Sequence, residues 1–123
     1  MIAADSSSLI AFLEGGSGDD VEAIARALES AEFCLAPPTL SEVMVRGDPA
    51  QIAALVDGVP MLQIGEGFWE RVGANRRLLY DKGLRARLGD SLIAQCCIDA
   101  DVPLIARDRD YRHFERWCGL KLA

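Results

Sequence analysis

Five short, mainly apolar runs, at residues 2–4, 33–36, 59–64, 102–106 and 119–122, the last an edge strand that carries Lys121, alternate with stretches whose apolar residues recur at helical spacing. This alternation constrains the fold more than any other feature of the chain. An apolar run of a few residues with no polar face reads as a strand covered on both sides, whereas a half-exposed strand would alternate. Helical segments between successive strands make each connection a crossover, so the strands run parallel and the helices cover both faces. The expected architecture is therefore a three-layer α/β fold with a mainly parallel central sheet. At 123 residues, half of them apolar, residues 1–123 are expected to form a single domain, because the chain can bury one real core and not two. No internal repeat, linker or low-complexity segment interrupts it.

The helical segments can be placed from their punctuation. A helix is predicted over residues 6–13, stopped by Gly15 and Gly16, and a second is capped by Asp19 or Asp20 with Val21, Ile24 and Leu28 on one face. Pro37 and Pro38 bound the second strand, and a helix over 39–45 then carries Glu42 near its first turn. Residues 49–56 form a short helix, and 65–82 the longest, with Trp69, Val72 and Leu79 on one side. Gly89-Asp90-Ser91 opens a helix that closes before Asp101 and turns Ile93 and Cys97 inward, and residues 110–116 form a last short helix.

The net charge of −6 argues against a passive electrostatic binder of nucleic acid, which gains affinity from excess Lys and Arg. The average hides an asymmetry: residues 1–70 carry twelve acids against Arg26 and Arg46, whereas residues 71–123 carry eleven basic residues against seven acids. A polyanion would therefore meet a locally positive surface in the second half. Cys34, Cys96, Cys97 and Cys118 have neither zinc-type Cys-x-x-Cys spacing nor the density of a disulfide scaffold, and read as buried structural thiols. No apolar run approaches the roughly 20 residues of a membrane span, so no membrane association is expected. The opening Met-Ile-Ala-Ala-Asp has no export-signal pattern, which points to a cytoplasmic location.

Acidic residues recur where strands end and helices begin: Asp5 after the first run, Glu42 in Pro-Thr-Leu-Ser-Glu, Asp90 in Gly-Asp-Ser-Leu-Ile-Ala, and Asp108 with Asp110 in Ala-Arg-Asp-Arg-Asp-Tyr. That is the edge at which open α/β sheets place their sites. Carboxylates gathered there repel one another by about 1 kcal/mol per pair at 4 Å in water and about 4 at an effective dielectric near 20. A divalent cation would offset that repulsion. For each acid taken alone a cap or a solvated surface group is the simpler reading, most of all for Asp90. Asp5 resists it, because a carboxylate closing a buried strand needs partners or a cation.

In this order and spacing, Asp-Ser-Ser near the amino terminus, Ser-Glu in the second quarter, the Asp opening a Leu-Ile-Ala helix and the strand-x-Asp-x-Asp-aromatic near the end resemble the PIN domain. The likeness spans essentially the whole chain and is greatest to VapC-type toxins, the endoribonuclease members of type II VapBC toxin–antitoxin pairs. It implies a PIN-like α/β/α fold and a catalytic quartet of Asp5, Glu42, Asp90 and Asp108 that holds Mg²⁺, with Mn²⁺ as a substitute. Asp110 is a further acid at the metal, and Ser7 a small polar group that orients a water. Which of Asp108 and Asp110 is the direct ligand stays open, as does the number of metal ions. The resemblance implies hydrolysis of RNA phosphodiester bonds to a 5′-phosphate and a 3′-hydroxyl, by a metal-activated water. It also implies a cognate VapB-like antitoxin and a homodimer or toxin–antitoxin hetero-oligomer. The chain has Ala106 where the family often has Thr, and Tyr111 where it often has Phe.

Arg107, Arg109 and Arg112 are candidate RNA contacts. His113 reads as structural, since a metal-activated water needs no histidine base, and Phe68, Trp69 and Trp117 read as core or interface. Two alternatives stay open: a non-catalytic PIN-fold protein that binds RNA or a partner, and a metal-dependent phosphotransfer protein using Asp5.

Overall fold

Each of the five apolar runs meets its neighbours in parallel. The computed structural model describes residues 1–123, and the chain order is β1 (Ala3–Ala4), α1 (Ser6–Leu13), α2 (Asp19–Glu29), α3 (Pro37–Val43), α4 (Pro49–Gly58), α5 (Phe68–Asp81), α6 (Leu88–Ala100), β2 (Leu104–Ile105) and α7 (Tyr111–Cys118). β1 and β2 pair with Ala3 opposite Leu104 and Ala4 opposite Ile105. Single parallel bridges join Ile2 to Phe33, Leu35 to Met61 and Leu104 to Leu122. Across the sheet the runs thus lie in the order third, second, first, fourth, fifth. The order reverses between β1 and β2, and the crevice beyond the carboxyl ends of strands at such a reversal is where open α/β sheets bind ligands.

The pleat divides the core in two. Ala3, Cys34 and Leu104 face one way, with Leu79 of α5, Ile93 and Cys97 of α6, and Tyr111 and Phe114 of α7. Ala4, Phe33, Leu35 and Ile105 face the other, with Leu9 of α1, Ile24 of α2, Val43 of α3, and Ile52 and Leu55 of α4. Alternate strand residues point to opposite faces, so α1–α4 and α5–α7 form the two outer layers, as the alternation of the sequence requires. The small Ala3 and Ala4 let both layers approach the middle of the sheet. A third cluster, of Ala36, Phe68, Val72 and Cys96, buries a second side of α6 beside the one that carries Ile93 and Cys97. Cys34, Cys96 and Cys97 are buried, as expected, and Cys118 is half-buried.

Several helix starts differ from the expectation: α5 begins at Phe68 and not at residue 65, and α6 at Leu88, ahead of Gly89-Asp90-Ser91. Gly18, not Asp19 or Asp20, stands at the N-cap of α2. Pro37 and Pro38 occupy the first turn of α3 instead of standing outside it, because a proline at that position lacks only an N–H the helix would leave unpaired. No helix is long and apolar enough to cross a membrane.

Candidate metal centre

Asp5 leaves the end of β1 and becomes the N-cap of α1. Its Oδ1 accepts from the Ser8 N–H at 2.8 Å, and its Oδ2 accepts from Ser7 Oγ at 3.1 Å and the Arg107 N–H at 3.3 Å. It is 2% exposed. One side chain thus ties the end of the first run to the segment that follows β2, at the reversal of strand order.

Asp90 lies in the first turn of α6, after an N-cap supplied by Arg87, and so is not the cap that its sequence context favours. Its Oδ1 accepts from the Tyr111 hydroxyl at 3.3 Å, while its Oδ2 is buried with no partner. Burial, then the charges of Asp108 and Glu42, push its pKa from 3.8 to about 6, against the Tyr111 hydrogen bond and Arg87. Tyr111 is 1% exposed. Its ionisation is pushed far up by burial and by the charges of Asp90, Asp5 and Glu42, so it is a fixed hydroxyl donor.

Asp108 and Asp110 sit in the turn between β2 and α7, where Asp108 Oδ1 accepts the Asp110 N–H at 2.9 Å. One carboxylate oxygen from each of Asp90, Asp108 and Asp110 lies within 4.8 Å of the other two. Opposed oxygens around Mg²⁺ stand about 4.2 Å apart, given bonds of 2.0–2.1 Å, so a small side-chain movement would close these three on one ion. Asp5 and Glu42 lie outside this trio, although the charge of Glu42 reaches Asp90.

Glu42 falls in the last turn of α3, not near its first, where the helix dipole disfavours an acid. Its Oε1 accepts from Ser6 Oγ, and its Oε2 lies 3.0 Å from where a Cβ on Gly89 would stand. Ser6, Gly89 and Tyr111 belong to this site without having been expected there. The Asp-Ser-Ser-Ser and Gly-Asp-Ser strings held a signal for the first two.

The basic residues divide. Arg107 Nε donates to Asp20 Oδ2 at 2.8 Å, and its Nη2 to Asp20 Oδ1 at 3.1 Å and the Ser17 carbonyl at 3.3 Å. That hydrogen bonding holds the Asp20 pKa at about 2. The Arg107 guanidinium is thus turned to α2, and what reaches the acidic site is its backbone N–H. Arg109 and Arg112 are exposed. His113 is half-buried on α7, with Nε2 4.0 Å from Asp110 Oδ1. Phe68 is in the core, whereas Trp69, expected in core or interface, is 60% exposed.

The donor set suits a hard divalent cation: it is made of carboxylate oxygens, and one of them is buried without a partner. No protein-family model and no curated protein matches the chain. Among solved structures it is similar to a chain in the crystal structure of VapBC2 from Rickettsia felis bound to a DNA fragment from their promoter, with a TM-score of 0.74 and 17% identity, covering 100% of this chain and 98% of that one. The fold is shared end to end. It is the PIN-like three-layer α/β/α arrangement with a parallel central sheet, and at this identity the likeness shows the fold alone.

Proposed function

We propose that the chain is a metal-dependent endoribonuclease, the toxin member of a VapBC-like toxin–antitoxin pair, working as a single domain in the cytoplasm. The observation that carries this reading is the gathering of Asp90, Asp108 and Asp110 carboxylates within 4.8 Å of one another, with Asp90 Oδ2 buried and without a hydrogen-bond partner. Such an arrangement is costly to fold without a cation and gains from one.

In this reading Asp90, Asp108 and Asp110 hold Mg²⁺ or Mn²⁺, and Asp5 and Glu42 complete the acidic wall. Bound metal would acidify a water and neutralise charge on the phosphoryl oxygens. Hydrolysis there would add a water's hydroxyl to phosphorus, break the P–O3′ bond and pass the water's remaining proton to the 3′ oxygen, leaving 5′-phosphate and 3′-hydroxyl ends. Tyr111 holds the Asp90 carboxylate in one orientation. Ser6 does the same for Glu42, and Ser7 for Asp5. Arg109 and Arg112 flank the site as phosphate contacts, while Arg107 contributes through its backbone.

The phosphotransfer alternative is the poorer fit, because both Asp5 oxygens already accept hydrogen bonds from Ser7, Ser8 and Arg107. A VapB-like antitoxin fits as partner, since an unregulated RNase would harm its own cell and the likeness in fold is to a VapBC complex. A homodimer or a toxin–antitoxin hetero-oligomer completes the proposal.

Purified chain free of antitoxin, incubated with total cellular RNA, is expected to give discrete fragments with Mg²⁺ or Mn²⁺ and none with EDTA. Asp90→Asn is expected to give none under any of these conditions. Intact RNA after incubation with folded, metal-loaded parent would favour the non-catalytic binding alternative.

A further inference from the structure

Two contacts set the register of the α5–α6 pair: Asn75 Nδ2 donates to Gln95 Oε1 at 2.8 Å, and Arg71 Nη2 meets Asp99 Oδ2 at 2.7 Å. Rising numbers on α5 meet falling numbers on α6, so the helices are antiparallel. Tyr80 is five residues beyond Asn75 and Asp90 five before Gln95, which carries both about 7.5 Å in the same direction at 1.5 Å per residue. Tyr80 and Asp90 therefore fall at about the same level along the two helix axes, each turned about 140° from the face that Asn75 and Gln95 share.

At that level a groove is lined by Arg76, Arg77, Tyr80, Leu84 and Ala86. Tyr80 is 77% exposed. Arg76 Nε donates to the Ala86 carbonyl at 3.0 Å, which fastens the loop to α5 and leaves its other guanidinium nitrogens without a protein acceptor. Arg77 is held only by Asp81, at 3.3 Å and with both side chains exposed, a pairing that solvent leaves weak. Exposed Arg85 and Arg87 extend the positive loop to the start of α6, two residues from Gly89 and three from Asp90 in the case of Arg87.

We propose that the groove at Tyr80, Arg76 and Arg77 is a subsite for single-stranded RNA, holding a nucleotide that flanks the one cut at the acidic centre. An exposed ring gives an unpaired base a face to stack on, and neighbouring guanidiniums take the phosphates. A duplex keeps its bases stacked on each other and away from the ring. The inference deepens the ribonuclease reading and rests on it.

The test is binding of a short fluorescein-labelled single-stranded RNA of mixed sequence, followed by anisotropy with EDTA present, and then cleavage of the same strand after Mn²⁺ is added. Tyr80→Ala is expected to weaken binding roughly five- to hundredfold, and Tyr80→Phe to keep it. The Arg76→Ala, Arg77→Ala double variant is expected to lower the salt slope by about 0.7 for each phosphate it no longer neutralises. Melting temperatures close to the parent's would show that the substitutions, including loss of the half-buried Arg76 and its bond to the Ala86 carbonyl, leave the fold intact. Variants that bind like the parent, a parent that binds no RNA, or a parent that prefers the duplex would overturn the subsite. A parent that binds through Tyr80 but never cuts would leave the subsite standing and defeat the nuclease reading.

Discussion

At neutral pH Asp90 carries a charge in a place that resists it, with a folded pKa near 6 against 3.8. Below pH 3.8 the group is protonated in both folded and unfolded chains and contributes nothing. Between the two values the folded state binds more protons, so stability falls as pH rises through that window and the penalty is complete above about 6. Each pKa unit is worth about 1.4 kcal/mol, and discounting for a half-buried, solvent-screened group leaves on the order of 1 kcal/mol in all. Metal-free Asp90→Asn is therefore predicted to be about 1 kcal/mol more stable than the parent in urea at pH 7.5 and equal to it near pH 4. Equal stability at both pH values would show that the acids impose no strain. Tyr111→Phe keeps the buried ring and removes the donor to Asp90, so calorimetry should show Mn²⁺ affinity down by about tenfold, with unchanged affinity arguing against a positioning role. That Asp90, Asp108 and Asp110 lie close together was legible in the sequence because strand ends and helix starts are punctuated locally, whereas Asp5 stands outside that trio. Tyr111 was not legible, since its partner is 21 residues away and a buried tyrosine near a chain's end reads as core.

At the scale of elements, the site depends on how closely α3 approaches the start of α6. Gly89 is the point of contact, and a methyl group there would meet Glu42 Oε2 at 3.0 Å. Glu42 is exposed and its carboxylate can swing away, so Gly89→Ala is predicted to leave stability unchanged or raise it by up to about 1 kcal/mol through helix propensity. The same change is predicted to weaken Mn²⁺ binding, because it moves Glu42 off the site. Titration of the variant with Mn²⁺ alongside its urea unfolding separates the two effects, and unaltered metal affinity would remove Glu42 from the centre. The helices were readable in number and order because Gly, Pro and Asp mark their ends. Glu42 was placed a turn too early because Pro37 and Pro38 were read as a strand stop and not as helix positions. The burial of α6 on several sides could not be read from its own period, since Phe68 and Val72 of α5 create the second contact.

For the molecule as a whole, the charge asymmetry of the sequence becomes an asymmetry of layers. α1–α4 lie in the acidic half of the chain, α5–α7 in the basic half, and the carboxylates sit where the two meet at the reversal of strand order. In the proposed function, that placement would let a chain with net charge −6 receive a polyanion on one side. A cation held by Asp90, Asp108 and Asp110 would tie α6 to the turn after β2. A ligand that binds only the folded state stabilises it by about 2.7 kcal/mol at a hundred times its dissociation constant. Mn²⁺ is thus predicted to raise the parent's melting temperature at pH 7.5 and to leave that of Asp90→Asn unchanged, and an equal rise in both would place the ion elsewhere. Diffraction from crystals soaked in Mn²⁺, recorded at a wavelength where manganese scatters anomalously, locates the ion without recourse to activity. An anomalous peak is expected within bonding distance of Asp90, Asp108 or Asp110 carboxylate oxygens. Peaks confined to other surface acids, with the crevice between β1 and β2 bare, would refute a metal centre there.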